Sequence, residues 1–158
     1  MQIRASTLAD LAAVDALLAR VYPRLLKADY PPSVLVTALP LISRAQPALL
    51  RCGTHYVVEE EGRILGAGGW TPDAADGARA HIRHLVVDDR EQRRGIARRI
   101  VTRCAAQARA GGAAVLECWS TRTAVPFYAA LGFETCGPLN VPLRAGIVFP
   151  SVRMIRAL

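Results

Sequence analysis

The chain has 158 residues, enough for one domain around one hydrophobic core, and 52% of them are apolar, which excludes a disordered chain. Its formal charge of +7 comes almost wholly from arginine, with Lys27 the one lysine, and favours acidic partners: nucleic acid, an anionic surface or a phosphorylated cofactor. No apolar run approaches the roughly 18 residues needed to cross a bilayer, and Asp10 and Asp15 interrupt what would be the core of a signal peptide, so a cytoplasmic protein with no membrane partner is expected.

In chain order, "QIRAS" alternates and reads as a first strand. "STLADLAAVDALLARVY" follows as a helix, with Leu8, Leu11, Val14, Leu17, Leu18 and Val21 at helical spacing and Ser6 or Thr7 as its cap. Pro23, Pro31 and Pro32 are expected to break it, and "SVLVTALPLISRAQPALL" reads as a second helical region interrupted near Pro40 and Pro47. "HYVVEE" and "RILGAGGW" form a hairpin around "EEGR". "DAADGA" is a loop, and "RAHIRHLVVDD" is a strand rich in β-branched residues. "GIARRIVTRCAAQARAGG" is a helix with Ile96, Ile100, Cys104 and Ala108 on one face, closed by Gly111 and Gly112. "AAVLECWS" is a strand, "TAVPFYAALGF" a short helix ended by Gly132, and the proline-interrupted tail supplies one or two more strands. The strand–helix–strand core predicts a mixed sheet with helices on both faces.

The arginine-rich "REQRRGIARRI" lies between a strand and a helix. The first turn of a helix has N–H groups without internal partners, and its dipole is positive there. Gly95 and the small Ala97 let a ligand approach that backbone, while Arg93, Arg94 and Arg98 add charge, an arrangement suited to a diphosphate. Nucleic-acid binding by this run would call for exposed aromatics or a helix-turn-helix partner, and neither is evident. Cys52, Cys104, Cys118 and Cys136 form no C-x-x-C pair and read as free thiols; no metal is implied.

These pieces, in this order, resemble the GCN5-related N-acetyltransferases, the GNAT superfamily. Gln92-Arg93-Arg94-Gly95-Ile96-Ala97 matches that family's R/Q-x-x-G-x-G/A loop, and Phe127-Tyr128 through Gly132-Phe133 matches its F-Y-x-x-x-G-F segment. The resemblance spans nearly the whole chain. It implies a single α/β (α+β) domain over residues 1–158, a twisted, mixed but mostly antiparallel sheet of roughly six or seven strands flanked by about four helices. It further implies an acetyltransferase that moves an acetyl group from acetyl-CoA, as co-substrate, to a primary amine of a small molecule or protein in a ternary complex, and a homodimer. A non-catalytic acyl-CoA-binding regulatory domain is the alternative, with a basic nucleic-acid-binding module behind it.

By that resemblance the pantetheine arm would pair with Leu85, Val86 and Val87, and the diphosphate would sit on the backbone from Gln92 through Arg98. Tyr128 would be the general acid toward the departing thiolate, a phenol with an ordinary pKa near about 10 donating to a thiol of about 8.5. Thr121 stands where many members have an asparagine that contacts CoA or substrate; a hydroxyl there reaches less far. The proton acceptor for the amine is assigned to His81, with His84, Glu117, Glu59 and Glu60 as competitors. His81 and His84 share a face only if a bulge intervenes, as is usual in the family at this point. Tyr30, Trp70 and Trp119, with Phe149, are expected to wall the acceptor pocket, suiting an amine on a partly apolar body.

Overall fold

A computed structural model describes all 158 residues. Strand β1 (Gln2–Ala5) leads into a short 3-10 turn at Leu8–Asp10, where Thr7 accepts from the Ala9 N–H at 3.3 Å and Asp10 accepts from the Thr7 N–H at 2.8 Å. This capping box launches helix α1 (Leu11–Leu26), which buries Val14, Leu17, Leu18 and Val21. The helix does not stop at Pro23 but runs through it. Proline removes one intrahelical bond there, and the complete burial of Leu26, with Tyr22 beside it, offsets that loss. Helix α2 (Pro32–Ile42) likewise passes Pro40, while Pro32 and Pro47 occupy helix starts, where the missing N–H costs nothing; Pro47 opens the single-turn α3 (Pro47–Leu50).

Strands β2 (His55–Glu60), β3 (Arg63–Pro72) and β4 (Arg79–Val87) form a meander. Helix α4 (Ile96–Ala110), β5 (Val115–Ser120), helix α5 (Val125–Ala130), β6 (Glu134–Arg144) and β7 (Ile147–Ala157) complete the chain. The seven strands form one sheet in the order β1-β2-β3-β4-β5-β7-β6. Every pairing is antiparallel except β4 with β5. The tail is therefore one long hairpin; Pro138 and Pro142 are tolerated because β6 is an edge strand, and Pro150 because it lies on β7 beyond the residues that pair with β5.

Helices α1 and α2 pack on one face over Val57, Ala67, Val86 and Phe149. Helices α4 and α5 cover the other, over Ala80, Leu116, Cys118 and Met154 and over Val58 and Leu65. The glycines of β3 set how closely α4 approaches. A Cβ on Gly66 would stand 2.7 Å from Ile96 Cγ2, and one on Gly68 would stand 3.1 Å from Ile100 Cγ2. Helix α4 thus lies nearly on the backbone of β3, which fixes the height of its N-terminus above the sheet.

Candidate active site

Two features of β4 create the site. The first is a bulge. Ala67 pairs with Val86 and Gly69 with Arg83, so both His84 and Leu85 stand opposite Gly68, and His84 has φ of 54°. The second is a split. Strand β4 pairs with β5 only at Arg79–Val115, Ala80–Leu116 and His81–Glu117, although both strands continue. Beyond His81 and Glu117 they diverge, β4 remaining with β3 and β5 with β7. The β5-facing edge of β4 is left as a backbone template without a neighbouring strand.

Two adjoining cavities fill this wedge, of about 480 and 560 Å³, with Leu25, Leu85 and Ala124 shared between them. The larger lies against the end of β4 and the start of α4. Leu85, Val86, Val87, Gln92, Arg93, Gly95, Ile96, Ala97 and Arg98 all line it. Gly95 caps α4 with φ of 74°, and no side chain caps the helix, so its first-turn N–H groups are free for a ligand. A Cβ on Gly95 would meet nothing within 4 Å, so the cradle is open on that side. The loop before it is held from beneath by the buried carboxylate of Asp88, which accepts from the Arg90 N–H at 2.9 Å and faces Arg20 at 2.7 Å. Hydrogen bonding from Arg90 holds this carboxyl far below the usual range. These features fit a diphosphate followed by an extended arm.

Arg94 departs from the sequence expectation. It does not line the cavity; its guanidinium is tied to Glu60 at 3.0 Å and to Glu91 at 2.7 Å. Glu60 lies outside both cavities, and Glu59 likewise, its carboxylate engaged by Arg4 at 3.1 Å.

The smaller cavity gathers His81, His84, Trp119, Thr121 and Tyr128. Tyr128 is 5% exposed, its ring edge-on to Phe127 and Phe133, and its hydroxyl makes no hydrogen bond to the protein. Burial pushes the phenol well above 10. His81 Nε2 stands 2.7 Å from Asp73 Oδ2, and Nδ1 stands 3.6 Å from Glu117 Oε2. The His81 hydrogen bond, helped by the N–H groups of Ala75 and Asp76, lowers the Asp73 carboxyl to about 2. An ionised Asp73 accepts the Nε2 proton, which leaves the lone pair of a neutral His81 on Nδ1. His84 is half-buried. Its Nε2 donates to the Ile42 carbonyl at 2.8 Å, and burial lowers its affinity for a proton.

Glu117 is nearly sealed. Burial alone would raise its carboxyl, but hydrogen bonds from Arg153, Trp119 and Arg79 prevail and hold it below the ordinary range. Trp119 Nε1 donates to it at 2.7 Å and Arg153 Nε at 3.0 Å. With its oxygens so engaged, Glu117 is a fixed negative charge facing His81 rather than a proton acceptor.

Of the aromatics expected around the acceptor, Trp119 and Phe149 line the cavity; Trp119 is 43% exposed and edge-on to His81. Tyr30 is core: it stacks on Phe149 with ring centroids 4.6 Å apart, donates to the Pro150 carbonyl at 2.6 Å and accepts from the Arg122 N–H at 2.9 Å. Trp70 packs toward α4, a Cβ on Gly111 falling 3.5 Å from its ring. Three contributors escaped the sequence reading. Asp73 lay in a stretch taken only as a loop. Tyr22, whose hydroxyl donates to the Leu85 carbonyl at 3.1 Å, lay at the end of a helix read for its apolar face. Arg83 was detectable in principle, because residues two apart on a strand share a face and it follows His81 by two.

A family model described as an acetyltransferase (GNAT) domain matches residues 46–155. No curated protein matches by sequence. Among solved structures, the chain is similar to a GCN5-related N-acetyltransferase of Rhodopseudomonas palustris, with a TM-score of 0.82 and 17% identity over 99% of this chain and 95% of that one. It is also similar to the PaiA N-acetyltransferase of Thermoplasma acidophilum in complex with coenzyme A, with a TM-score of 0.76 and 11% identity over 99% and 98%. A ribosomal-protein-alanine N-acetyltransferase of Brucella melitensis gives a TM-score of 0.66 and 19% identity over the whole of both chains. At these identities the likeness is one of fold. No helix is long and apolar enough to cross a membrane.

Proposed function

The chain belongs to the GNAT acetyltransferase family, and on that premise we propose that it moves an acetyl group from acetyl-CoA to a primary amine by direct transfer within a ternary complex. One observation carries the reading: the wedge between β4 and β5 holds two adjoining cavities that share Leu25, Leu85 and Ala124, one at the uncapped start of α4 and the other at Tyr128 and His81.

Acetyl-CoA supplies a thioester activated toward amines. The backbone of residues 93–98 takes the diphosphate on its N–H groups, with Arg93 and Arg98 adding charge. The free edge of β4 at Leu85–Val87 takes the arm as an added strand. That placement delivers the acyl end to the smaller cavity, where the two reactants meet in one geometry.

His81 accepts the amine proton at Nδ1. Asp73 fixes the tautomer and the ring plane, and the imidazolium that results lies between the carboxylates of Asp73 and Glu117. Glu117 cannot turn away, because Arg79, Arg153 and Trp119 hold it. Tyr128, kept protonated by its burial, donates toward the sulfur as the carbon–sulfur bond breaks. Thr121, at the turn that leaves β5, stands by as a short-reach hydroxyl for the arm or the acceptor.

The test joins two measurements on the purified protein: calorimetric titration with acetyl-CoA, and release of free CoA thiol across a panel of amines. Binding with thiol release from at least one amine is expected. Binding without release from any amine would identify a non-catalytic acyl-CoA sensor instead.

A further inference from the structure

The charges around the smaller cavity are not balanced. Asp73 is spent on His81, and Glu117 on Arg79 and Arg153. No aspartate or glutamate lines the cavity itself. Arg83 does line it, half-buried, with no carboxylate within ion-pair distance. Its position is nevertheless fixed. Nε donates to Thr71 Oγ1 at 2.9 Å, and the guanidinium carbon stands 5.9 Å from the centre of the Trp119 ring. With Nε engaged, the two terminal nitrogens remain as a paired donor edge, the geometry that grips a carboxylate through two parallel bonds.

We propose that the acceptor is an amine that also bears a carboxylate, on an apolar body, and that Arg83 seats that carboxylate. The proposal deepens the transferase reading and rests on it for the fate of the amine. A half-buried cation fixed at the cavity wall without a counter-charge leaves its donors open, and an anionic substrate group completes it. A second ammonium, as in a polyamine or a basic peptide, would find no carboxylate in the cavity to receive it. Leu26, Ile42, Leu49, Leu143 and Phe149 supply the walls for a hydrocarbon side chain. His81 and Arg83 share one face of β4, with Thr71 beside them, so amine and carboxylate are addressed from adjacent positions of one strand. An aliphatic or aromatic amino acid meets all these conditions.

The experiment uses matched probes: L-leucine, L-methionine and L-phenylalanine against their amides, which keep the amine and the side chain and lose the negative charge. Each is titrated calorimetrically into the protein loaded with CoA, and each is assayed for thiol release with acetyl-CoA. The acids are expected to bind about tenfold or more tightly than the amides. Arg83→Gln should remove that preference, Arg83→Lys should keep part of it, and both variants should bind acetyl-CoA as the parent does, because Arg83 lies outside the larger cavity. Equal binding of acids and amides, a preference that survives in Arg83→Gln, or no binding of any acid at millimolar concentration would each overturn the carboxylate seat. Binding of the acids through Arg83 with no thiol release from them or from any other amine would uphold the seat and sink the transferase reading.

Discussion

Replacing Tyr128 by phenylalanine removes one oxygen atom at the centre of the proposed chemistry. The hydroxyl makes no hydrogen bond to the protein that would be lost, and the edge-on contacts with Phe127 and Phe133, at centroid separations of 5.1 and 5.2 Å, stay in place. Stability should therefore change by no more than about 0.5 kcal/mol, and acetyl-CoA affinity by less than about threefold. Turnover should fall by about 10²- to 10⁴-fold, or about 3–5 kcal/mol of transition-state stabilisation, the ordinary range for loss of a positioned acid. The pH dependence sharpens the test. Burial raises the phenol well above 10, so the donor form is fully present below that value and does not titrate between about pH 6 and about pH 9. The ratio of parent to variant rates should hold constant across that window, measured by thiol release under single-turnover conditions with a calorimetric melt as the folding control. A variant rate within twofold of the parent would remove Tyr128 from the mechanism. A ratio that shrinks steadily from pH 6 to 9 would show that the lost group titrates near neutrality, and would refute the assignment of a buried, permanently protonated phenol.

Gly95→Glu should weaken acetyl-CoA binding by about 100-fold or more, through charge repulsion and a left-handed backbone that only glycine adopts freely, whereas Gly95→Ala, which meets no neighbour, should cost only about 1 kcal/mol of strain in stability. Unchanged affinity in a folded Gly95→Glu protein, read by calorimetric titration, would count against the cradle. His55 is 2% exposed, and burial lowers its imidazole to about 4 from a reference of 6.5. The neutral form is thus the stable one in the fold: the associated stability is whole above the unfolded value and drains away as pH falls toward the folded one. Denaturant titrations should show about 2 kcal/mol lost to His55 between about pH 7.5 and about pH 5, and His55→Asn should lack that increment. An equal drop in both proteins would assign the dependence elsewhere.

Much of the architecture was legible because period and punctuation agreed. The alternation in "HYVVEE", the four-residue spacing of Ile96, Ile100, Cys104 and Ala108, and the glycines at 95 and 111 each point to one local structure. Prolines were read too strictly. Pro23 and Pro40 lie inside helices because their neighbours bury against the sheet, a tertiary gain that local reading does not contain. The site was legible where it is backbone and obscure where it is side chain. A glycine between a strand and a helix points to an open, uncapped helix start, which Gly95 is, whereas an arginine's target depends on what faces it. Arg94 was grouped with its neighbours by sequence proximity, yet Glu60, 34 positions away, claims it. Arg83 was passed over within "RAHIRHLVVDD", yet across the strands it meets Thr71 and Trp119 and no carboxylate. Trp70 and Trp119 have the same chemistry, and only the packing of α4 over one of them separates core from cleft.

Tyr30 shows how a misassigned residue still bears on function. Its hydroxyl joins the Pro150 carbonyl on β7 to the Arg122 N–H in the turn leaving β5, and nearby Thr123 donates to Asp29 at 2.6 Å. Those bonds draw the end of β5 toward β7 and the α1–α2 connection, away from β4. On the other arm, β4 is held by β3 on its far side, while Tyr22 rises from α1 to cap the Leu85 carbonyl within the wedge. Unpaired strand edges tend to close on one another, since each buried N–H and C=O left without a partner costs free energy. Here the two arms are tied to different neighbours, so the gap cannot zip shut beyond His81 and Glu117. An extended ligand arm that pairs with β4 thus supplies backbone partners that the fold withholds. The opening is a property of the tyrosine struts and the bulge together, and neither the cradle proposed at Gly95 nor the chemistry proposed at Tyr128 would be reachable without it.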